Sequence, residues 1–261
     1  MDAPRGDATD ALVECLLALG DDALVLGHRL SEWVGRAPLL EEDLALPNMG
    51  LDLLGHARAL YARAGELEGR GRTEDDFAYL RREREYRHCL LVERPNGDFA
   101  HTMVRQLLYA AFAAPWWHRA RDSADAAVAG VAAKAAAELR YHVRHAGEWV
   151  IRLGDGTEES ARRARAAAEA LVPDVAELFH VGPALARCVA ANLLPDPEAA
   201  RADARATLAA VWREAALGAP PALAPEPERP ARGRSGNHSE AFGHLLATLQ
   251  HLPRSHPGAR W

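Results

Sequence analysis

Two stretches of the chain, each longer than 20 residues, repeat apolar side chains every three or four positions. This spacing places the apolar side chains on one face of an α-helix, and stripes of this length are typical of long helices packed in a bundle. Isoleucine occurs once and threonine is rare, whereas β-strands favour β-branched residues, so we expect an all-α fold. The two stripes are Leu46, Met49, Leu53, Ala57, Leu60, Ala64 and Leu67, and Val128, Ala132, Ala135, Leu139, Val143, Ala146, Val150 and Leu153.

Glycines, prolines and capping residues divide the chain into further helices. Thr73 and Thr157 are predicted N-caps, because a threonine hydroxyl can accept a hydrogen bond from the first helical turn. Prolines predict irregular structure over 173–195 and a loop over 219–236. We expect a first helix from near Asp7 to about 35, a second that contains the first stripe and ends at about 69, and a third that begins after Thr73. Further helices are expected over about 98–121, 122–153, 157–179, 196–217 and 238–251.

These helices predict a single domain that comprises residues 1–261. Its bundle core is expected over about 7–180, with C-terminal helices over about 196–251 packed on it. Hydrophobic residues make up 49% of the chain and charged residues 26%, which is typical of a chain that folds.

Charge, cysteine usage and hydropathy exclude several classes of protein. The formal net charge is −6 and there is no block of lysine or arginine, which argues against a nucleic-acid partner. Three cysteines without a CxxC pair indicate neither a disulfide framework nor a zinc knuckle, and they favour a reducing cytoplasm. We find no basic signal-peptide start and no apolar run near the ~20 residues of a membrane helix.

Helical bundles of this size often hold a di-iron centre, which needs two carboxylates and two Glu-x-x-His pairs. Two full matches to the Glu-x-x-His motif and one weaker match occur: Glu85 with His88, Glu177 with His180, and Asp98 with His101. We interpret them as surface residues, because the first match lies in the charged run 81–88 and the second lies at a helix end beside Pro183.

The middle of the two long helices offers a different pattern, with an acid and a histidine four positions apart. Asp52 and His56 lie on one helix, and Glu138 and His142 on the other, each pair beside the apolar stripe. They could be ligands of a metal site, to which His28 could add a further imidazole. Alternatively, each carboxylate accepts a hydrogen bond from its histidine or from an arginine, as buried polar groups require. The first and fourth helices lack a clear carboxylate supply, which favours the hydrogen-bonded pairs.

Several segments together resemble the PaaC-type subunit of phenylacetyl-CoA epoxidase, also called ring-1,2-phenylacetyl-CoA oxygenase. The resemblance covers nearly the whole chain, and it is weakest over 181–195 and 219–230. No GxSxG motif, P-loop or GxGxxG motif suggests another chemistry. The segments that carry the resemblance are 19–33, 41–58, 91–100, 138–142, 152–157, 237–240 and 257–261.

The resemblance implies a ferritin-like, all-helical and non-catalytic structural subunit that holds no cofactor of its own. It would pair with and stabilise a homologous di-iron catalytic subunit, in a complex that converts the aromatic ring of phenylacetyl-CoA to an epoxide during aerobic phenylacetate degradation. Smaller accessory subunits complete this complex, and a reductase with flavin and an iron–sulfur cluster supplies electrons from NADPH.

Two further expectations concern the surface and the alternatives. Trp33, Trp116 and Trp117 are candidates for the partner interface, because obligate interfaces are large and apolar. One alternative function is a stand-alone di-iron oxidase or oxygenase that uses the four bundle-core residues named above. Another is a helical binding protein with no link to an oxygenase.

Overall fold

A computed structural model describes residues 6–223 and 232–259. Within these ranges the chain forms α-helices and short 3₁₀ turns without any strand, which confirms the all-α prediction. The helices are α1 (Asp7–Ser31), α2 (Leu40–Glu68), α3 (Glu74–Tyr79), α4 (Leu90–Glu93), α5 (Phe99–Ala120), α6 (Ala126–Gly154), α7 (Glu158–Val175), α8 (Pro183–Ala190), α9 (Arg201–Glu214) and α10 (Glu240–Ser255).

The predicted helix boundaries are confirmed at several capping residues. Gly69 ends α2 in the left-handed conformation with φ 65°, which a glycine adopts without steric cost. Thr73 and Thr157 cap α3 and α7, each accepting from the backbone N–H three positions ahead. Asp125 caps α6 in the same way.

The stretch 173–195 is more helical than its prolines predicted. Pro173 lies inside α7, and Pro183 occupies the first turn of α8. A proline is tolerated in the first turn because the N–H that it lacks has no partner inside the helix there. Of the predicted loop over 219–236, residues 224–231 lie outside the described residues.

The long helices form a ferritin-like bundle from two antiparallel pairs, α1 with α2 and α5 with α6, and α2 lies against α6. Most side chains of the two predicted stripes are buried between them. Gly27 and Gly50 let α1 and α2 approach closely, because a Cβ at either position would lie 3.0 Å from the carbonyl oxygen of the other.

The remaining helices cover this bundle. Helix α8 packs mainly on α1, α9 on α5 and α6, and α10 on α3. None of the described helices is both long and apolar enough to cross a membrane.

Candidate functional site

Three hydrogen bonds between a carboxylate and an imidazole join α2 to α6. We call these six residues the α2–α6 seam. Their order along α2 is the reverse of their order along α6, as antiparallel helices require. The bonds run from His145 Nε2 to Glu42 Oε2 at 2.9 Å, from His142 Nε2 to Asp52 Oδ2 at 3.2 Å, and from His56 Nε2 to Glu138 Oε2 at 2.7 Å.

The seam contains all four residues that the sequence singled out, but it pairs them differently. Asp52 bonds to His142 and not to His56, and Glu138 bonds to His56 and not to His142. Side chains four positions apart lie side by side on one helix face, so both point at the facing helix and each finds its partner there. The pair of Glu42 with His145 was not predicted, because Glu42 has no histidine near it on its own helix.

Two further side chains contact the seam. The side-chain amide of Gln106, which is buried on α5, donates to His142 Nδ1 at 3.1 Å, so His142 uses Nε2 to donate to Asp52. The Lys134 ammonium lies 3.5 Å from Glu138 Oε1, the carboxylate oxygen that His56 leaves unused.

Burial keeps the imidazole of His56, at one end of the seam, neutral. His56 is 3% exposed, and burial lowers its pKa, although the hydrogen bond to Glu138 acts in the opposite direction. A neutral imidazole that donates from Nε2 satisfies the Glu138 carboxylate without a second buried charge.

The four residues that the sequence singled out as possible ligands do not fit a metal pair in this arrangement. A di-iron centre needs carboxylate and imidazole atoms that converge on the metal ions. No three of the four side chains bring ligand atoms within 4.8 Å of one another. In addition, the positive charge of Lys134 beside Glu138 would repel a bound cation.

The prediction that the Glu-x-x-His matches are surface residues is wrong for one member of each full match. Glu85 and His180 are exposed, but His88 and Glu177 are buried. Residues 83–85 form a 3₁₀ turn and Tyr86 is extended, so His88 turns inward and does not continue a charged helix face. Burial raises the pKa of the Glu177 carboxyl, although three backbone N–H groups donate hydrogen bonds to it and act in the opposite direction.

His88 belongs to a second carboxylate–imidazole cluster, which we call the Glu93 triad: His88, Glu93 and His238. Glu93 Oε2 accepts from His88 Nε2 at 2.7 Å and from His238 Nδ1 at 3.0 Å, and Oε1 accepts from the Ser239 N–H at 2.7 Å. Burial would raise the pKa of Glu93, but these hydrogen bonds outweigh it and lower that pKa. Burial also lowers the pKa of His88.

The Glu93 triad is better suited to hydrogen bonding than to a metal ion, although its ligand atoms lie within 4.8 Å of one another. The rings of His88 and His238 are stacked, with centroids 4.0 Å apart and 18° between their planes. An imidazole binds a metal ion in the plane of its own ring. Because the planes of the two stacked rings are nearly parallel, they do not intersect near the ring nitrogens, so the two imidazoles are poorly placed to share one ion.

Buried ion pairs attach neighbouring segments to α1. Arg81, which the sequence placed on a charged surface, is 5% exposed and pairs with Asp21, which also accepts from the Tyr61 hydroxyl. Arg234 pairs with Asp22 at 2.7 Å and so holds the C-terminal segment against α1. Together with the Glu93 triad, the Arg234–Asp22 pair fixes residues 232–239 in place.

The predicted interface tryptophans need a correction. Trp116 and Trp117 are 2% and 4% exposed within this chain alone, so they are core residues and offer no surface to a partner. Trp33 is partly exposed, although its ring packs on Phe99 and its Nε1 donates to the Thr102 hydroxyl.

The exposed apolar surface lies on α2 instead. Leu40, Leu44 and Leu51 are 73%, 60% and 63% exposed, and their spacing places them on one helix face. Val34 and Leu39, just before α2, are also exposed. We call these five residues the α2 leucine face. Exposed apolar side chains grouped on and just before one helix make this face a candidate interaction surface.

Comparison with known proteins gives one family for the whole chain. The profile of the family described as Phenylacetic acid catabolic protein matches residues 1–261. The C-subunit of the 1,2-phenylacetyl-CoA epoxidase from Escherichia coli (strain K12) is 42% identical over 245 residues, which are 94% of this chain and 97% of that protein. The chain therefore belongs to the phenylacetic acid catabolic protein family.

Proposed function

We propose that the protein is the non-catalytic structural subunit of a multicomponent phenylacetyl-CoA 1,2-epoxidase. In this role it pairs with a homologous di-iron catalytic subunit and stabilises it during aerobic phenylacetate degradation. The observation that carries the proposal is the α2–α6 seam, in which the acids and histidines of a ferritin-like bundle bond to one another across the helices. The similarity to the epoxidase protein of Escherichia coli supports the assignment to this complex.

A bundle in which the facing acids and histidines of α2 and α6 pair with one another can act as a rigid support. Each seam carboxylate has an imidazole partner, and each bond crosses between helices, so the pairs hold α2 and α6 in register. A rigid neighbour can fix the helices of a partner that carries metal ligands. Oxygen activation is then assigned to the di-iron centre of the catalytic subunit, and electron supply to a reductase with NADPH, flavin and an iron–sulfur cluster.

We further propose that the α2 leucine face is the contact with the catalytic subunit. It replaces Trp116 and Trp117 in that role, because these two side chains are buried and the leucines are not. Exposed leucines on one helix face give the apolar centre that a stable heteromeric interface requires. The free thiols of the three cysteines support a cytoplasmic setting.

Co-expression with the homologous catalytic subunit tests this function. We expect a tag on this chain to retain the catalytic subunit through purification, and we expect iron in the complex but none above background in this chain alone. If the two chains do not associate, or if this chain alone holds iron and oxidises substrate, the proposed function is wrong.

A pair of variants tests the proposed contact face. Leu44→Asp places a charge on the α2 leucine face, and we expect it to weaken binding of the catalytic subunit by about tenfold or more. Leu252→Asp is the matched control, because Leu252 is 47% exposed on α10 and lies outside that face. Equal affinities for the two variants would show that the contact lies elsewhere.

A further inference from the structure

Two cysteines from distant parts of the chain lie side by side in the interior. Cys15 is on α1 and Cys188 on α8, and their sulfur atoms are 3.7 Å apart in a shared hydrogen bond. Both side chains are buried, and both are free thiols. The third cysteine, Cys89, is also buried, but it follows Tyr86 and His88 in a different part of the molecule.

A cavity of about 290 Å³ leads from the surface to one of these thiols. Cys15 lines it, together with the aromatic rings of Phe112 and Trp116, and Arg87 and the exposed His180 also line it. A molecule as small as a hydroperoxide fits this space, so Cys15 is the sulfur that it reaches.

The position of α8 allows the two sulfur atoms to approach. A disulfide bond is about 2.05 Å long, so the sulfur atoms must move together by roughly 1.7 Å. Helix α8 has 8 residues and packs mainly on α1. A small shift of this outer helix therefore closes the gap without a rearrangement of the four long helices.

We propose that Cys15 and Cys188 form a modification site at which a hydroperoxide produces a reversible disulfide between α1 and α8. Cys15 Sγ attacks one peroxide oxygen, the O–O bond breaks, and the thiol proton leaves with the displaced hydroxide as water. The product is a sulfenic acid on Cys15. Cys188 Sγ then attacks the Cys15 sulfur, the S–O bond breaks, and a second water leaves with the proton of Cys188. Two thiols and one hydrogen peroxide thus give one disulfide and two waters.

The surroundings set the rate of each step. The hydrogen bond to Cys188 and burial both raise the pKa of Cys15, so its thiolate is scarce and the first step is slow. The same hydrogen bond lowers the pKa of Cys188, which favours it as the attacking thiolate in the second step. We expect the disulfide to form over minutes to hours and a dithiol reductant to reverse it.

Counting of free thiols by mass spectrometry tests the proposal on the full chain. The reduced protein is treated with hydrogen peroxide, quenched, denatured and alkylated, and its intact mass is measured. The reduced chain has three cysteines to label, and we expect the oxidised chain to keep one label, on Cys89. Peptide mapping should show a link between Cys15 and Cys188 within one chain, and dithiothreitol should restore all three labels.

Single-cysteine variants give the matched controls. Cys15→Ser should keep two labels after peroxide, because the reactive thiol is gone. Cys188→Ser should keep one label, on Cys89, and carry added oxygen on Cys15, because nothing resolves the sulfenic acid. Cys89→Ser should lose both of its labels. If a serine variant does not fold, the peptide map of the wild type and of Cys89→Ser decides the question. In the wild type, three labels after treatment, a link that includes Cys89, or added oxygen on Cys15 without a link would overturn the proposal.

Discussion

The α2–α6 seam and the Glu93 triad use the same chemical groups in different surroundings. In the seam, the side chains of Asp52 and Glu138 are 33% and 22% exposed, so water reaches their carboxylates. In the Glu93 triad, the side chains of His88 and Glu93 are 0% and 1% exposed. Removal of a histidine from the seam therefore leaves Asp52 or Glu138 within reach of water, whereas removal of a partner in the triad leaves a buried and unpaired group.

The two sites also differ in what they connect. The seam joins two long helices that already pack side by side through apolar stripes. The Glu93 triad joins α4 to His238, which lies two residues before α10 and 145 positions further along the chain than Glu93. The comparison suggests that the seam adjusts the register of the bundle, whereas the triad holds the C-terminal segment in place.

The largest effect should follow from removal of the triad carboxylate. We expect Glu93→Ala to lower the free energy of unfolding by about 3–5 kcal/mol, because it leaves His88, His238 and a backbone N–H buried without their acceptor. Urea denaturation measures this loss. Glu169→Ala, at an exposed position on α7, is the control and should stay within about 0.5 kcal/mol of the wild type. Equal losses of unfolding free energy in Glu93→Ala and Glu169→Ala would contradict the argument that burial makes the loss of the triad carboxylate costly.

A smaller effect is expected in the seam. Glu138→Ala should lower the free energy of unfolding by about 1–2 kcal/mol, because water can replace the lost partner of His56 only in part. A double-mutant cycle with His56→Ala should give a coupling energy of about 1 kcal/mol. If Glu138→Ala costs as much as Glu93→Ala, solvent access does not distinguish the two sites.

The smallest effect is a difference in pH dependence. The pKa of folded His56 lies below that of an unfolded histidine, about 6.5, so the unfolded chain takes up a proton first as the pH falls. The contribution of His56 to the free energy of unfolding is complete above about pH 6.5. It is lost as the pH falls from there towards the pKa of His56 in the folded state. His56→Gln remains neutral, and its urea midpoint should fall less between pH 7 and 5 than that of the wild type. A parallel fall in both proteins would contradict a buried neutral His56.

The sequence predicted those features that local spacing encodes. The long helices follow from their apolar stripes, and their ends follow from Gly69 and from the hydroxyls of Thr73 and Thr157. Asp52 and Glu138 were recognised because each has a histidine four positions away on the same helix. In each case the signal lies within about one helical turn.

Features that depend on contacts between distant segments were not predictable in this way. The partner of His56 is set by the register of α2 against α6, which no local pattern specifies. His238 and Glu93 are far apart in sequence, and the burial of His88 depends on the 3₁₀ turn before it. Trp116 and Trp117 were assigned to a partner interface, because an aromatic pair on an apolar helix does not by itself distinguish the core of a chain from an interface.

The central claim is that the acids and histidines of the α2–α6 seam bond to one another and leave no metal site between these two helices. Anaerobic titration of the isolated chain with ferrous iron, followed by desalting and metal analysis, tests it most directly. We predict no iron above the buffer background, both in the wild type and in Glu138→Ala. About two tightly held iron ions per chain, lost in Glu138→Ala, would contradict the account.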